Sequence, residues 1–180
     1  MDLKNNDYDP EYAALVGLVH DLGKSRIPKQ VLAKETALTR FEYDLMKSHP
    51  LLGYLLLCYY LGVSFDEIPH AARDHHEKVD GSGYPRAIKK IGKYTRLIAP
   101  VDIFDALISE RPYRASPFTI RQALDYLIDE SNADKIDKEA VYHLISYVRK
   151  EHPHPTELKP YAKNSQPFST DNTYGKIADH

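Results

Sequence analysis

Helix start signals recur along this chain and are the feature that most limits its fold. Asp9-Pro10-Glu11 combines an N-cap residue, a proline at the first helical position and an acid in the first turn. This order predicts a helix that runs to about Leu22. Thr39 and Glu42 have capping-box spacing and predict the start of a second helix.

The most apolar stretch, Pro50 to Leu61, is followed by Gly62, a residue type that often ends helices. It predicts a buried helix, and Tyr59-Tyr60 would complete its contribution to the core. Ser64 to Glu67 repeats the capping-box spacing and predicts a helix that leads towards His75-His76.

Three further stretches have helical patterns, and no alternating strand run of useful length occurs. These stretches are Thr95 to Ile108, Phe118 to Glu130 and Asp137 to Lys150. Pro100 lies inside the first and should kink or split it. The sequence therefore predicts an all-α helical bundle over residues 1–152, followed by a polar, flexible tail over residues 153–180.

Composition excludes several classes of protein. The chain has 180 residues with a formal net charge of -2, so it lacks the positive field typical of proteins that bind nucleic acid polymers. No apolar run is long enough to span a membrane, and the N-terminus does not read as a signal peptide. Cys58 is the one cysteine, which excludes an internal disulfide. A soluble cytoplasmic domain is predicted.

Histidines and aspartates lie at the ends of the predicted helices or inside them. They begin with the adjacent pair His20-Asp21, and Gly23 indicates a helix end just after it. Imidazole and carboxylate together suit iron, manganese or zinc rather than calcium. Such a site can lower the pKa of water and supply hydroxide for phosphoester hydrolysis. The other residues of this group are His49, His75, His76, Asp102 and the cation Lys24.

Cations and a glycine-rich loop complete the candidate site. Lys24 is a point charge suited to the charge that grows during phosphoryl transfer, and Arg111 and Arg114 offer planar forks for phosphate oxygens or guanine. Gly81 and Gly83 permit a tight loop that Pro85 stiffens, so this loop is predicted to shape the rim of the metal site.

Each of these motifs also has a structural alternative. A histidine beside a capping aspartate is common, a loop can merely connect, and cations often lie at the surface. The role of Asp105 stays open between ligand, substrate contact and hydrogen-bond acceptor. The histidines outside the motifs are predicted at the surface: His70, His143, His152, His154 and His180.

Four motifs in order resemble the HD-GYP domain, a branch of the HD phosphohydrolase superfamily whose active members open cyclic di-GMP. They are HDLGK at 20–24, HP at 49–50, HHEKVDGSGYP at 75–85 and VDIFDALISERPYR at 101–114. The resemblance extends from about Ala13 to Lys150. It implies an all-α fold that holds two or three divalent metal ions, iron or manganese more often than zinc.

The resemblance also implies roles for individual residues. Asp21 would bridge two metals, and Lys24 would contact the scissile phosphate. Arg111 and Arg114 would hold phosphates or guanines, and the loop Gly83-Tyr84-Pro85 would contact substrate or a partner such as a diguanylate cyclase or receiver domain. The implied metal ligands are His20, Asp21, His49, His75, His76 and Asp102.

One expected residue has no counterpart. HD-GYP domains carry a further histidine about thirty residues before the His-Asp pair, whereas no histidine precedes His20 here. We therefore expect that the bundle lacks an N-terminal helix and that the metal shared by His20, Asp21 and Asp102 lacks a ligand. Asp21, His49 and His75 would still supply a second metal. Apolar surface bared in this way would favour a homodimer or helix exchange.

Three functions are consistent with these residues. The first is a phosphodiesterase that hydrolyses cyclic di-GMP to the linear dinucleotide or GMP. The second is a non-catalytic HD-GYP module that binds a nucleotide or a signalling partner. The third is a phosphohydrolase that acts on another cyclic dinucleotide or on a phosphomonoester. The complete run of motifs favours the first, and the missing upstream histidine favours the second.

Overall fold

The computed structural model describes residues 8–62, 67–111, 114 and 116–151. These residues form helices and no strand, which confirms the predicted all-α bundle. The predicted tail at 153–180 and the predicted cap at Ser64 lie outside the described residues. The helices are α1 (Pro10–Val19), α2 (Lys29–Leu32), α3 (Arg40–Met46), α4 (His49–Leu61), α5 (Glu67–Asp74), α6 (Lys93–Ile108), α7 (Ile120–Asn132) and α8 (Lys138–Glu151), with a 3-10 helix at Leu22–Arg26.

The predicted helix starts at Asp9 and Thr39 are confirmed. The Asp9 carboxylate accepts hydrogen bonds from two backbone N–H groups at the start of α1, and Thr39 forms a full capping box with Glu42. α1 ends at Val19, before the predicted Leu22, because the chain tightens there into the 3-10 helix.

Helix α4 begins and ends near its predicted bounds, and Gly62 follows it with a positive φ of 80°. The prediction that the whole helix is buried is wrong. Its buried face carries Gly53 and Leu57, whereas Leu51 and Leu55 are exposed. Tyr59-Tyr60 does not complete the core, since Tyr59 is 81% exposed and Tyr60 is 74% exposed.

Helix α6 continues through Pro100, so the predicted split is wrong. A proline inside a helix removes one hydrogen bond and clashes with the preceding turn. Here Pro100 is fully buried, and α6 packs against α1, α5, α7 and α8. Packing on several sides therefore holds the helix together where the local sequence disfavours it.

Three apolar clusters hold the bundle together. One joins α1, α4, α5 and α6 through Val16, Leu57 and Ile98. The second lies around α2 and α3, and the third joins α6, α7 and α8 around the fully buried Leu127. Within the described part of the chain, no helix is both long and apolar enough to cross a membrane.

Candidate metal centre

The structure brings the predicted metal ligands together from four segments. His20 and Asp21 lie between α1 and the 3-10 helix, and His49 opens α4. His75 and His76 directly follow α5, and Asp102 lies within α6. Placement at helix ends lets adjacent residues reach one site, although neighbours on a helix point about 100° apart.

A close backbone contact sets the distance between the first two of these segments. A Cβ atom at Gly23 would lie 1.9 Å from the carbonyl oxygen of His49 and 2.5 Å from the nitrogen of Gly53. Only glycine fits between the 3-10 helix and α4 at this point. This contact keeps Asp21 next to His49.

Three histidines are fixed in one orientation by their own helical turns. Nδ1 of each ring lies 2.7–2.8 Å from the carbonyl oxygen three residues earlier, in His20, His49 and His75. A carbonyl accepts but cannot donate, so Nδ1 carries the proton in each ring. When these rings are neutral, their Nε2 atoms therefore present lone pairs, as in metal-binding histidines.

These Nε2 atoms converge on one carboxylate. Oδ1 of Asp21 lies 3.2 Å from Nε2 of His49 and 3.6 Å from Nε2 of His75, and its Oδ2 lies 3.5 Å from Nε2 of His20. Oδ1 of Asp102 lies 3.5 Å from the same His20 atom. Nε2 of His49 and Nε2 of His75 are 3.2 Å apart.

A bound metal cation would satisfy this arrangement. Two unprotonated nitrogens that face one another repel, and Nε2 of His20 and Oδ1 of Asp21 are buried without a hydrogen-bond partner among the described residues. Two sets of side chains have ligand atoms within 4.8 Å of one another: His49-His75-His76 and His20-Asp21-His75. The donor set of imidazoles and carboxylates fits iron, manganese or zinc.

Burial and the neighbouring charges shift the pKa values of these residues. Burial lowers the pKa of His20, but the adjacent Asp102 and Asp21 carboxylates outweigh it and raise that pKa above its ordinary value. Burial lowers the pKa of His75 to about 4 and that of His76 well below its ordinary value, so both rings are neutral at pH 7. Burial raises the pKa of Asp21, but contacts with His49 and Lys24 outweigh it and the carboxylate stays ionised. Asp102 is ionised as well: burial raises the pKa of its carboxyl, but the His20 ring beside it outweighs burial and lowers that pKa below its ordinary value.

The predicted cations separate into two groups. Nζ of Lys24 donates to Oδ2 of Asp21 at 2.5 Å, and Lys24 and Arg111 line the same open recess. The Arg114 guanidinium instead donates to the carbonyl oxygens of Leu107 and Ala106 at the end of α6. Lys24 and Arg111 are therefore brought together beside the candidate ligands, while Arg114 is engaged in ending α6.

The predicted glycine-rich loop covers the histidines. The Tyr84 ring stacks on the His76 ring with centroids 4.8 Å apart, and the Tyr84 N–H donates to the His76 carbonyl. A Cβ at Gly83 would lie within 2.5 Å of the backbone of residues 76–78, so only glycine allows this approach. Pro85 follows Tyr84 through a cis peptide bond. The loop thus forms one wall of the site.

Sequence analysis missed the residues that hold this loop. The buried Glu77 carboxylate accepts hydrogen bonds from the N–H groups of Arg86 and Ile88, at 2.6 and 3.1 Å. The Asp74 carboxylate is also buried and accepts from the guanidinium groups of Arg73 and Arg86. The available signal was that two acids, Asp74 and Glu77, directly flank the two histidines in the sequence.

Three further polar residues considered in the sequence, Asp105, His70 and His143, have local contacts outside this cluster. Asp105, whose role the sequence left open, is exposed, and its backbone carbonyl accepts the N–H of Ser109. His70 is half-buried and stacks on Tyr54 rather than lying free at the surface. His143 is half-buried beside Glu139.

Comparison with known proteins agrees with this geometry. The chain is 42% identical over 111 residues to the cyclic di-GMP phosphodiesterase response regulator RpfG of Xanthomonas campestris, which covers 61% of this chain and 29% of that protein. It is 35% identical over 127 residues to the 3′3′-cGAMP-specific phosphodiesterase 1 of Vibrio cholerae, a match that covers 69% of this chain and 29% of that protein. It is 39% identical over 98 residues to the cyclic di-GMP phosphodiesterase of Thermotoga maritima, a match that covers 53% of this chain and 27% of that protein. The chain thus spans less than a third of the length of these relatives.

The sequence model of the HD domain family matches residues 2–140, well over half of the chain. Together with its motifs and its relatives, this match shows that the chain belongs to the HD domain family and has the features of the HD-GYP type.

Proposed function

We propose that this domain is a metal-dependent phosphodiesterase that opens cyclic dinucleotides, with cyclic di-GMP as its main substrate. The observation that carries the proposal is the convergence of Nε2 atoms from His20, His49 and His75 on the Asp21 carboxylate. Relatives named as phosphodiesterases of cyclic di-GMP and of 3′3′-cGAMP support the substrate class. Cyclic di-GMP would be consumed in the cytoplasm, which we propose as the location.

Two or three divalent ions, iron or manganese rather than zinc, are part of this proposal. His49, His75 and His76 would hold one ion, and His20 and Asp21 would hold another with His75 between them. Asp102, beside His20, would complete the second set. When bound, such ions polarise a phosphoryl oxygen and lower the pKa of water.

The residues around the cluster would position the substrate. Lys24 would balance the charge that grows on the scissile phosphate, because its ammonium is already held beside Asp21. Arg111 would bind a second phosphate oxygen, since it lines the same recess. We assign a structural role to Arg114, because it ends α6.

The loop Gly83-Tyr84-Pro85 would have two tasks. Its stacking on His76 orients that ring, and its outer side is a contact for substrate or for a partner such as a receiver domain or a diguanylate cyclase. One relative is itself named a response regulator, which supports a receiver domain as the partner. Hydrolysis adds one water across a P–O bond of the ring, giving the linear dinucleotide.

The test is turnover of cyclic di-GMP by protein loaded with ferrous iron or manganese without oxygen. His75→Ala should abolish product and lower the metal content, because His75 belongs to both ligand sets. His143→Ala is the matched control, since it removes a half-buried histidine next to Glu139 and should leave both unchanged.

Two results would decide against the proposal. Folded protein that binds metal and yields no product from cyclic di-GMP or 3′3′-cGAMP would leave a non-catalytic binding module. Equal turnover in the parent protein and His75→Ala would show that the reaction does not use this cluster.

A further inference from the structure

The outward face of α4 is apolar, whereas the outward face of a surface helix is normally polar. The 13 residues of this helix include no Asp, Glu, Lys or Arg. A helix that is hydrophobic all round is typical of a position that is covered on every side. α4 is covered on one side, where Gly53 and Leu57 pack towards the 3-10 helix and α5. Its other side faces water without the polar residues that usually do so.

Leu51, Leu55 and Tyr59 form a stripe along this outward face. They follow one another at intervals of four residues, and each lies two positions from a residue of the buried side, which turns it about 200° away from that side. Their exposed fractions are 46%, 55% and 81%. Tyr60 is 74% exposed and extends the stripe at its end, because its ring meets the Tyr59 ring edge-on with centroids 5.1 Å apart. We call these four residues the α4 stripe.

The α4 stripe has the area that self-association requires. At about 200 Å² for a fully exposed side chain of this size, the four exposed fractions leave on the order of 500 Å² open to water on each chain. Monomers rarely expose a larger apolar patch, and patches of this size often mark interaction sites. Two such surfaces would together bury about 1,000 Å², the minimum expected of a specific protein interface.

The absence of charge on the stripe favours a second copy of the chain as its occupant. Charges orient unlike partners and repel like surfaces, so an uncharged stripe meets its own copy without repulsion. In a two-fold dimer the same patch contributes from both chains. A straight stripe matches itself when the two helices run antiparallel, which places Leu51 against the partner's Tyr59. The tyrosine hydroxyls would then reach water at the two edges of the contact.

We propose that this chain forms a two-fold homodimer in which two α4 stripes pack antiparallel, with Leu55 next to the axis. The proposal goes beyond the proposed function and does not depend on it. Packed helices have axes about 8–10 Å apart and Cα atoms about 2.3 Å from each axis, so facing Cα atoms come within roughly 3–5 Å of one another. An interface at the lower limit of area should dissociate on dilution to micromolar concentrations.

The first test is sedimentation velocity of the whole chain from about 1 to about 200 µM, which spans dissociation constants in the micromolar range. The parent protein should change from the mass of one chain to that of two. Leu55→Glu should raise the dissociation constant at least about ten-fold, because it places two like charges at the axis. Leu18→Glu is the matched control, since Leu18 is 80% exposed on α1 and its replacement should leave the dimer unchanged.

A second test locates the axis without a charged variant. In a Cys58→Ser background, which removes the one native thiol, Leu55→Cys should give a disulfide-linked dimer on mild oxidation. Facing Cα atoms in the proposed contact lie near the roughly 4.4–6.8 Å that a disulfide spans. Lys138→Cys in the same background is the control, because Lys138 is exposed on α8, and it should cross-link far more slowly.

Several results would overturn the inference. A parent protein that stays monomeric at every concentration would assign the α4 stripe to a different partner. A dimer that Leu55→Glu leaves intact, or that Leu18→Glu weakens equally, would place the interface elsewhere. Equal rates of cross-linking at positions 55 and 138 would show that Leu55 does not lie at the axis.

Discussion

Gly23→Ala should separate Asp21 from His49 and disrupt the candidate metal site. The added Cβ would lie 1.9 Å from the His49 carbonyl oxygen, whereas real Cβ contacts essentially never fall below 3.0 Å. The 3-10 helix and α4 must therefore move apart by at least about 1.1 Å (3.0 minus 1.9). The His49 oxygen belongs to the backbone and the added Cβ is bonded directly to the backbone at Gly23, so no side-chain rotation relieves the clash.

The displacement is large compared with the geometry of a metal site. Oδ1 of Asp21 now lies 3.2 Å from Nε2 of His49. Metal–ligand distances are held to within about 0.2 Å, so a shift of ~1 Å between the Asp21 and His49 sides of the cluster would take its two ligand sets out of position. The clash itself should lower the free energy of unfolding by about 1–3 kcal/mol, as for other overpacked sites.

Two measurements follow from this reasoning: the bound manganese per chain after dialysis, and the urea midpoint of the metal-free protein. Gly23→Ala should lower both. Gly17→Ala is the control, because Gly17 lies inside α1 and its added Cβ would make an ordinary 3.5 Å contact with the Ile98 side chain. Replacing a helical glycine with alanine should raise the free energy of unfolding by about 0.5–1 kcal/mol. Full manganese binding and an unchanged urea midpoint in Gly23→Ala would refute the argument that this close contact sets the ligand spacing.

Three further changes probe the loop and the metal. Glu77→Gln should cost about 1–3 kcal/mol in urea unfolding, because an amide can accept only one of the N–H groups of Arg86 and Ile88; a midpoint equal to that of the parent would show that both bonds are dispensable. Arg86→Met should destabilise the metal-free protein at pH 7 and less at an acid pH below about 3.9. Burial raises the pKa of Asp74, but hydrogen bonds from Arg73 and Arg86 outweigh it and lower the pKa below its ordinary value. The stabilisation that this ionised carboxylate provides is therefore present above the unfolded pKa of about 3.9 and is lost as the pH falls through the folded pKa. An equal loss at both pH values would contradict this linkage. Removal of the metal with a chelator should lower the melting temperature, since metal at about 100 times its Kd stabilises by roughly 2.7 kcal/mol; a melting temperature that does not depend on manganese concentration would speak against a bound ion.

Sequence patterns predicted the helices and the ligand cluster because both depend on local signals. Capping residues such as Asp9 and Thr39 specify helix starts within a few residues. His20, His49 and His75 converge because each lies at a helix end, and those ends meet at one mouth of the bundle. The motif order alone was therefore enough to name them.

Features that depend on tertiary packing could not be predicted in this way. An apolar run does not reveal which face of α4 is covered, so the exposure of Leu51 and Tyr59 was missed. Helix α6 passes through Pro100 because its neighbours hold it on several sides. The direction of a long side chain is equally non-local, and the sequence did not indicate that Arg114 donates to carbonyl oxygens at the end of α6.

The position of the candidate ligands along the chain has a consequence for biosynthesis. Apart from Asp102, they all lie between His20 and His76, a stretch closed by the packing of α4 on the 3-10 helix and on α5. Short separations along the chain make loop closure inexpensive, and synthesis proceeds from the N-terminus. We therefore expect the nascent chain to acquire most of its ligand set, and a first ion with it, before the ribosome has finished α7 and α8.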